Sequence, residues 1–388
     1  MGKKLLILLL VVVFVFATMV GCGKQEAGLE PAADTSQTTQ KVEETGGATA
    51  ETGGDKKDDT ILIGCLMKTL GSPYFVCLDQ AIQDLSKEQG WECISINAAE
   101  DVTAELEGME SLVSSGCDLI FYDCIDPTAA VSCIEVAYQE GIPVINIDSG
   151  VDEGAHCVTT VYSDNKQNGR AVGLKYADYF NKKEGADAEI ISVLLSGVMG
   201  NVAGRERSTG LFCGIIEGRT GLSEEESWKL ADALYKQIET EGKGYCQEAN
   251  FTVRGQGWGN WAEADGLVAA EDLITANRDL NTVLGENDQM LFGAITALTN
   301  AGITYGDDGK VNIVAAADGA KAAYDLIKEG KYFGTGENSP WLVSQKAFEI
   351  GKEILLDGKD PWSYPWVTLT EAVGVTIENV DERYDYGF

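Results

Sequence analysis

The chain has 388 residues, 62 of them acidic against 29 basic, and a formal net charge of −33 at pH 7. That balance leaves no room for a basic surface and excludes nucleic acid as a partner. One histidine and no Cys-x-x-Cys or Cys/His spacing give no metal site.

The N-terminus has the pattern of a targeting segment. Lys3 and Lys4 precede the apolar run Leu5–Phe16, and small residues follow, as in a secretory signal rather than a membrane span. The tetrad Met19-Val20-Gly21-Cys22 resembles the bacterial lipobox. It implies a signal peptide over residues 1–21, cleavage before Cys22 and a diacylglyceryl group on the Cys22 sulfur. Residues 22–59 carry almost no large apolar side chain and cannot bury enough surface to offset ordering entropy. They are expected to form a disordered acidic linker, a tether spanning about 35 Å root-mean-square. Of the ten cysteines, those other than Cys22 are odd in number, and several fall in apolar strand patterns where a thiol acts as a small hydrophobe.

Folding begins at Ile61. The run Ile61–Met67 predicts a strand buried on both faces, Gly71 and Ser72 break it, and Pro73 suits the first turn of a helix. Tyr74 and Phe75 then stand at the carboxyl edge of the strand, where open α/β sheets bind ligands. Further helices are predicted over Val102–Ser115 and Pro127–Glu140, after a first over Pro73–Gln89. Strands fall at Cys93–Asn97, Leu119–Asp123, Pro143–Asp148 and Val158–Tyr162. A second series follows: helix Asn165–Phe180, strand Glu189–Leu195, helix Val202–Glu217, strand Asn250–Arg254, helix Trp261–Ala276. Strand Thr282–Gly285, helix Asp288–Asn300, strand Val311–Ala315 and helix Gly319–Lys328 complete it. Strands that hand over to helices in this way build parallel, doubly wound sheets, and two such units of similar size imply two α/β lobes. Residues 222–242, with Leu230, Leu234 and Ile238 at helical spacing, form an inserted amphipathic helix.

Several short motifs occur in a telling order: Ser72-Pro-Tyr-Phe-Val-Cys-Leu78, Ile142-Pro-Val-Ile-Asn-Ile-Asp148, Ser163-Asp-Asn165, Arg205-Glu-Arg207, Gly285-Glu-Asn-Asp288 and Ala317-Asp-Gly319. As a set, over Ile61–Val375, they resemble the periplasmic sugar-binding proteins of ABC importers, type I fold, ribose and galactose group. The resemblance implies two similar doubly wound parallel-sheet lobes joined by three hinge crossovers, with one ligand in the cleft. It assigns residues 60–163 plus 338–367 to one lobe and 164–337 plus 368–388 to the other. It implies a monomer that delivers a sugar or polyol to an ABC permease and its ATPase, at a membrane reached through the lipid on Cys22, with no cofactor.

A sugar presents many hydroxyls and one or two apolar faces. Its cleft needs planar polar groups that donate and accept in pairs, and aromatic rings for stacking. The resemblance places Ser72, Tyr74, Phe75, Asp123, Asp148, Ser149 and Ser163 in the cleft from one lobe. From the other it places Arg205, Trp258, Asn287, Asp318 and Glu337. Trp258 lies in a glycine-rich stretch that lacks the Lys-Ser/Thr of a phosphate loop and any dinucleotide spacing, and Trp261 nearby fits a core position. A helix N-cap is the alternative role for the carboxylates. Four positions bear on the difference from the ribose binders: Asp123 and Glu337 stand where they carry an amide, Ser149 where they often carry arginine, and Lys68 is able to face Asp123 or the ligand. A cleft with more carboxylates and fewer arginines favours a neutral polyhydroxy ligand, or one with an amine, over a sugar acid. The alternative function is a sensory module of the same fold, capturing a sugar or furanone signal for a membrane kinase. Catalysis finds no support: His156 has no nucleophile elbow beside it, and no spacing selects a carboxylate pair.

Overall fold

Ile63, Cys65, Leu66 and Met67 are fully buried, as an apolar run without polar alternation requires. The computed structural model describes residues 60–388, so the expected signal peptide, Cys22 and linker lie outside the described residues. The first series is β1 (Leu62–Met67), α1 (Pro73–Glu88), β2 (Glu92–Asn97), α2 (Val102–Ser114), β3 (Leu119–Asp123), α3 (Pro127–Gln139), β4 (Val144–Ile147) and β5 (Thr160–Ser163). The second begins with α4 (Asn165–Glu184), β6 (Ile190–Ser196), α5 (Val202–Thr220), α6 (Glu224–Glu241), β7 (Gly244–Cys246) and β8 (Phe251–Trp258). It continues with α7 (Glu263–Ala276), β9 (Thr282–Gly285), α8 (Asp288–Asn300), β10 (Asn312–Asp318), α9 (Lys321–Lys328) and β11 (Gly334–Glu337). The chain then adds α10 (Pro340–Leu355), β12 (Val367–Thr370), β13 (Gly374–Thr376) and α11 (Val380–Arg383).

Two sheets result. A six-stranded sheet runs β12-β5-β4-β3-β1-β2, with every pair parallel. A seven-stranded sheet runs β13-β11-β10-β9-β6-β8-β7, parallel except for its two edge strands. The chain crosses between them three times, from β5 into α4, from β11 into α10, and from β12 into β13. This is the two-lobed, doubly wound fold expected from the motifs. Among the described residues no helix is long and apolar enough to cross a membrane.

Differences from the expected elements have local causes. Strand β8 runs on to Trp258 through Gly255 and Gly257, residues that weaken a strand pattern in sequence. They belong there because α7 packs closely: a Cβ on Gly255 would stand 2.7 Å from Leu273, and one on Gly257 3.0 Å from Ala269. The inserted helix α6 starts with a capping box between Ser223 and Glu226 and buries Ala231, Leu234 and Ile238 in the core of its lobe.

The closest helix contact in the second lobe is glycine-made. Gly169 and Gly173 of α4 face Gly210 and Gly214 of α5, so the two backbones touch directly. A Cβ on Gly169 would lie 2.7 Å from both the Arg207 carbonyl oxygen and the Leu211 nitrogen, atoms that move only with the helix. Gly169→Ala is therefore expected to overpack this contact and destabilise the fold by about 1–3 kcal/mol. Thermal unfolding checks it; a midpoint equal to or above wild type would show that the helices separate freely.

Candidate functional site

The carboxyl ends of the first sheet's strands bring together Lys68 after β1, Asp123 at the end of β3, and Asp148 and Ser149 after β4. Lys68 Nζ lies 3.3 Å from Asp123 Oδ1 and 3.3 Å from Asp148 Oδ2, and it donates to Ser149 Oγ. Its charge also sits 4.4 Å from the centre of the Phe75 ring. Asp148 holds φ at 61°, a left-handed conformation that aspartate tolerates better than most side chains. Asp123 is fully buried, and neither of its oxygens has a hydrogen bond of good geometry. Burial pushes Asp123 up to about 7, with the Lys68 charge working against that rise. Burial by itself would lower Lys68, but Asp123 and Asp148 more than offset it and hold the ammonium firmly charged.

The second sheet supplies a matching half. Arg207 on α5 sets Nη1 2.8 Å from Asp318 Oδ1 at the end of β10, and its Nε donates to Asn165 Oδ1 at 2.9 Å. Its guanidinium lies 5.5 Å from the Trp261 ring. Burial raises Asp318, and Arg207 pulls it back towards the ionised form. The turn that follows β10 is fixed from below. Asp288 accepts from the backbone N–H groups of Gly319 and Ala320 at 2.8 and 2.9 Å, and from the Tyr332 hydroxyl at 2.8 Å.

Tyr74 and Asn338 join the halves. The Tyr74 hydroxyl, kept protonated by burial, donates to Asn338 Oδ1 at 3.3 Å, and Asn338 Nδ2 donates to Asp318 Oδ1 at 3.5 Å. Asn338 lies in the second crossover, so this relay runs from α1 of one lobe through the hinge to β10 of the other.

Six expected positions are displaced. Arg205 is exposed and sits 5.7 Å from the Tyr235 ring on α6, whereas Arg207 faces Asp318. Residues two positions apart on a helix are about 200° apart around its axis, so both arginines cannot face one site. Glu337, 1% exposed, turns to the other side of the strand end and pairs with Arg383, leaving Asn338 beside Asp318. Trp258 closes β8 beside Ser196, and the ring beside Arg207 is Trp261, which follows a turn with positive φ at Asn260 and Trp261. Ser163 shares a hydrogen bond with Thr370 at 3.2 Å, joining β5 to β12 beside the crossovers. Ser72 lines a separate groove of about 720 Å³ between α1, α10 and Phe388, whose walls include none of the charged cluster. Asn287 spends its amide on capping α8 through Met290 N at 3.1 Å and on the Trp261 carbonyl at 3.2 Å. Asn165, Arg207, Trp261 and Asn338 were the residues sequence reasoning left out. The second arginine of Arg205-Glu-Arg207 and the amide after Glu337 were the available signals.

Two lobes on a three-strand hinge, with opposed polar and aromatic side chains at the strand ends, define a solute-binding protein. A family model described as a periplasmic binding protein domain matches residues 63–360. The chain belongs to the periplasmic binding protein family, whose members bind solutes rather than transform them. It is 29% identical over 302 residues to the ribose import binding protein of Bacillus subtilis, covering 78% of this chain and 83% of the relative. It is 27% identical over 307 residues to the ribose import binding protein of Escherichia coli, covering 79% and 88%. A solute-binding protein of an ABC transporter from Actinobacillus succinogenes, solved with bound D-allose, shares the fold at a TM-score of 0.65 and 23% identity, over 83% of this chain and all of that one.

Buried carboxyls give the fold a pH signature. Burial raises Asp123, Asp318 and Glu286, so the folded protein holds protons that the unfolded chain has already released. Stability contributed by these groups is full below about 4, the unfolded carboxylate value, and is lost as pH rises through the folded value, about 7 for Asp123. The sugar-free protein is expected to melt higher at pH 5 than at pH 8. A higher midpoint at pH 8 would show that these carboxylates ionise freely in the fold.

Proposed function

We propose that the protein captures a neutral sugar or polyol between its lobes and delivers it to an ABC import permease and ATPase. It does so as a monomer held to the extracytoplasmic face of the membrane by a lipid on Cys22. The observation that carries the ligand class is Asp123: a fully buried carboxyl that has the Lys68 charge 3.3 Å away but no hydrogen bond of good geometry has room for a better-placed donor, and a hydroxyl supplies one. Asp148 and Asp318 add acceptors, Arg207 adds a fork of donors, and Tyr74 and Asn338 offer groups that a ligand is able to reach. Phe75 and Trp261 supply one ring from each lobe, Trp261 taking the part first expected of Trp258. Lys68 donates to Asp148 and Ser149 and faces Asp123, so little of its charge remains for an anionic ligand. The named relatives that import ribose support a sugar. Ligand bridging the two lobes would hold them closed, and the closed form would dock on the permease.

Calorimetry with D-ribose, D-allose, myo-inositol and D-glucuronate tests the ligand class. A neutral compound is expected to bind, and Trp261→Ala to weaken it by up to about tenfold while Trp258→Ala leaves it unchanged. Tight binding of the glucuronate with the neutral compounds inert would overturn the reading. Membrane attachment has its own check: globomycin should make the unprocessed precursor accumulate, and normal processing in its presence would remove the lipid anchor.

A further inference from the structure

We infer that the segment Arg383–Phe388 is a positioning element of the binding site, which sets Tyr74 and Asn338 and fastens the two lobes together. The inference rests on the proposal that Tyr74 and Asn338 meet the ligand, and it concerns residues outside the charged cluster.

Among the described residues, Phe388 alone packs against an apolar cluster of each lobe. Its ring meets Tyr74 edge-on, with centres 5.4 Å apart at 89°, while Phe75 meets Tyr74 on another side at 5.3 Å and 81°. Tyr74 is thus held between two rings, and its hydroxyl is aimed at Asn338 Oδ1. The Phe388 carbonyl oxygen accepts from Lys321 N at 3.0 Å, at the first residue of α9 in the second lobe. Phe388 therefore joins α9 to α1.

The same segment grips the residues on both sides of Asn338. Arg383 Nε donates to Glu337 Oε1 at 3.0 Å, and its Nη2 pairs with Glu337 Oε2. Tyr386 accepts at its carbonyl from Ser339 Oγ at 2.6 Å, and Ser339 also caps α10. With Glu337 and Ser339 both held, the backbone of Asn338 between them has one course. The segment is in turn docked on α9. The Tyr384 hydroxyl donates to Asp325 Oδ1 at 2.9 Å, and Lys328 Nζ stands 4.0 Å from the Tyr384 ring. At Gly387 the chain passes so close that a Cβ would stand 2.9 Å from the Tyr324 ring.

Separating the lobes must break either the Phe388–Tyr74 contact or the Phe388–α9 bond. The segment thus favours the arrangement in which α1 and α9 stay together and slows release of whatever the cleft holds. Two measurements test this. Without sugar, hydrogen exchange over Val76–Ile82 of α1 is expected to quicken about tenfold in Phe388→Ala and to be wild-type in Phe388→Tyr. Unchanged exchange in Phe388→Ala would overturn the inference. With whichever of D-ribose, D-allose or myo-inositol binds wild type, Phe388→Ala should raise Kd by up to about tenfold, chiefly through the off-rate, and Phe388→Tyr should restore it. Phe388→Leu, which keeps apolar bulk and loses the ring, should lie between. A lowered melting temperature with unchanged Kd would reduce the segment to a purely structural role and overturn the inference. If none of the three sugars binds wild type, the proposed ligand class fails, and the exchange measurement decides the inference alone.

Discussion

The Arg207–Asp318 pair is the interaction on which the cleft half of the second lobe depends. Each side chain is 10% exposed, so two charges have left water, and such a pair is worth forming only with close geometry and further hydrogen bonds. Both conditions are met by elements distant in sequence. The glycine contact between α4 and α5 brings Asn165 against the guanidinium, Asp288 fixes the turn that carries Asp318, and Asn338 takes up part of the remaining carboxylate capacity. A looser helix pair would leave the arginine buried and unsatisfied. Close backbone packing, which looks like a matter of fold, is therefore a condition of the site.

The first lobe meets the same problem with a different solution. Its cation comes from a strand end rather than a helix, and one lysine is set against two aspartates and a serine. An ammonium is a compact charge with three donors and no fixed plane, whereas a guanidinium is a rigid fork. Lys68 accordingly gathers the acidic side chains around a point, while Arg207 spans a planar set of partners. Two aspartates to one lysine leave an acceptor surplus on this side, where Asp123 has no hydrogen bond. Surplus acceptors are the chemical basis for the donor-rich, uncharged solute proposed above.

Much of the fold was legible because its signals are local. Continuous apolar strands, Pro73 and Pro127 at helix starts, and polar residues at strand ends placed the first series to within about two residues. The elements left unassigned were β7, β11, β12 and β13, glycine-rich or very short strands that carry little periodicity, the single-turn α11, and α10, whose proline start and apolar face were available signals. β11 is Gly334-Thr-Gly-Glu337, and its glycines are explained only by neighbours: a Cβ on Gly334 would lie 2.6 Å from the Val375 carbonyl oxygen. Site residues were legible to the motif but not to the position. Arg205 and Arg207 differ by a helix face, Glu337 and Asn338 by the side of a strand end, and Trp258 and Trp261 by a turn with positive φ. Spacing brings a motif to a site; only the register of the element selects the side chain that faces it.

The segment after β13 shows where that limit is sharpest. Arg383-Tyr-Asp-Tyr-Gly-Phe388 has neither helical nor strand period, and nothing in it predicts a partner. Its contacts are with Glu337, Ser339, Lys321 and Tyr74, residues 46 to 314 positions away for Arg383 to Glu337 and Phe388 to Tyr74. The contacts with Glu337 and Lys321 lie within the second lobe, whereas the contact of Phe388 with Tyr74 forms only after both lobes have folded and bears on how the lobes meet. An element with that energetic profile shifts an open–closed equilibrium more readily than it stabilises a fold, because its interactions exist in one arrangement and not the other. A segment with little sequence signal thereby carries, in Phe388 against Tyr74, a contact that depends on how the two lobes meet.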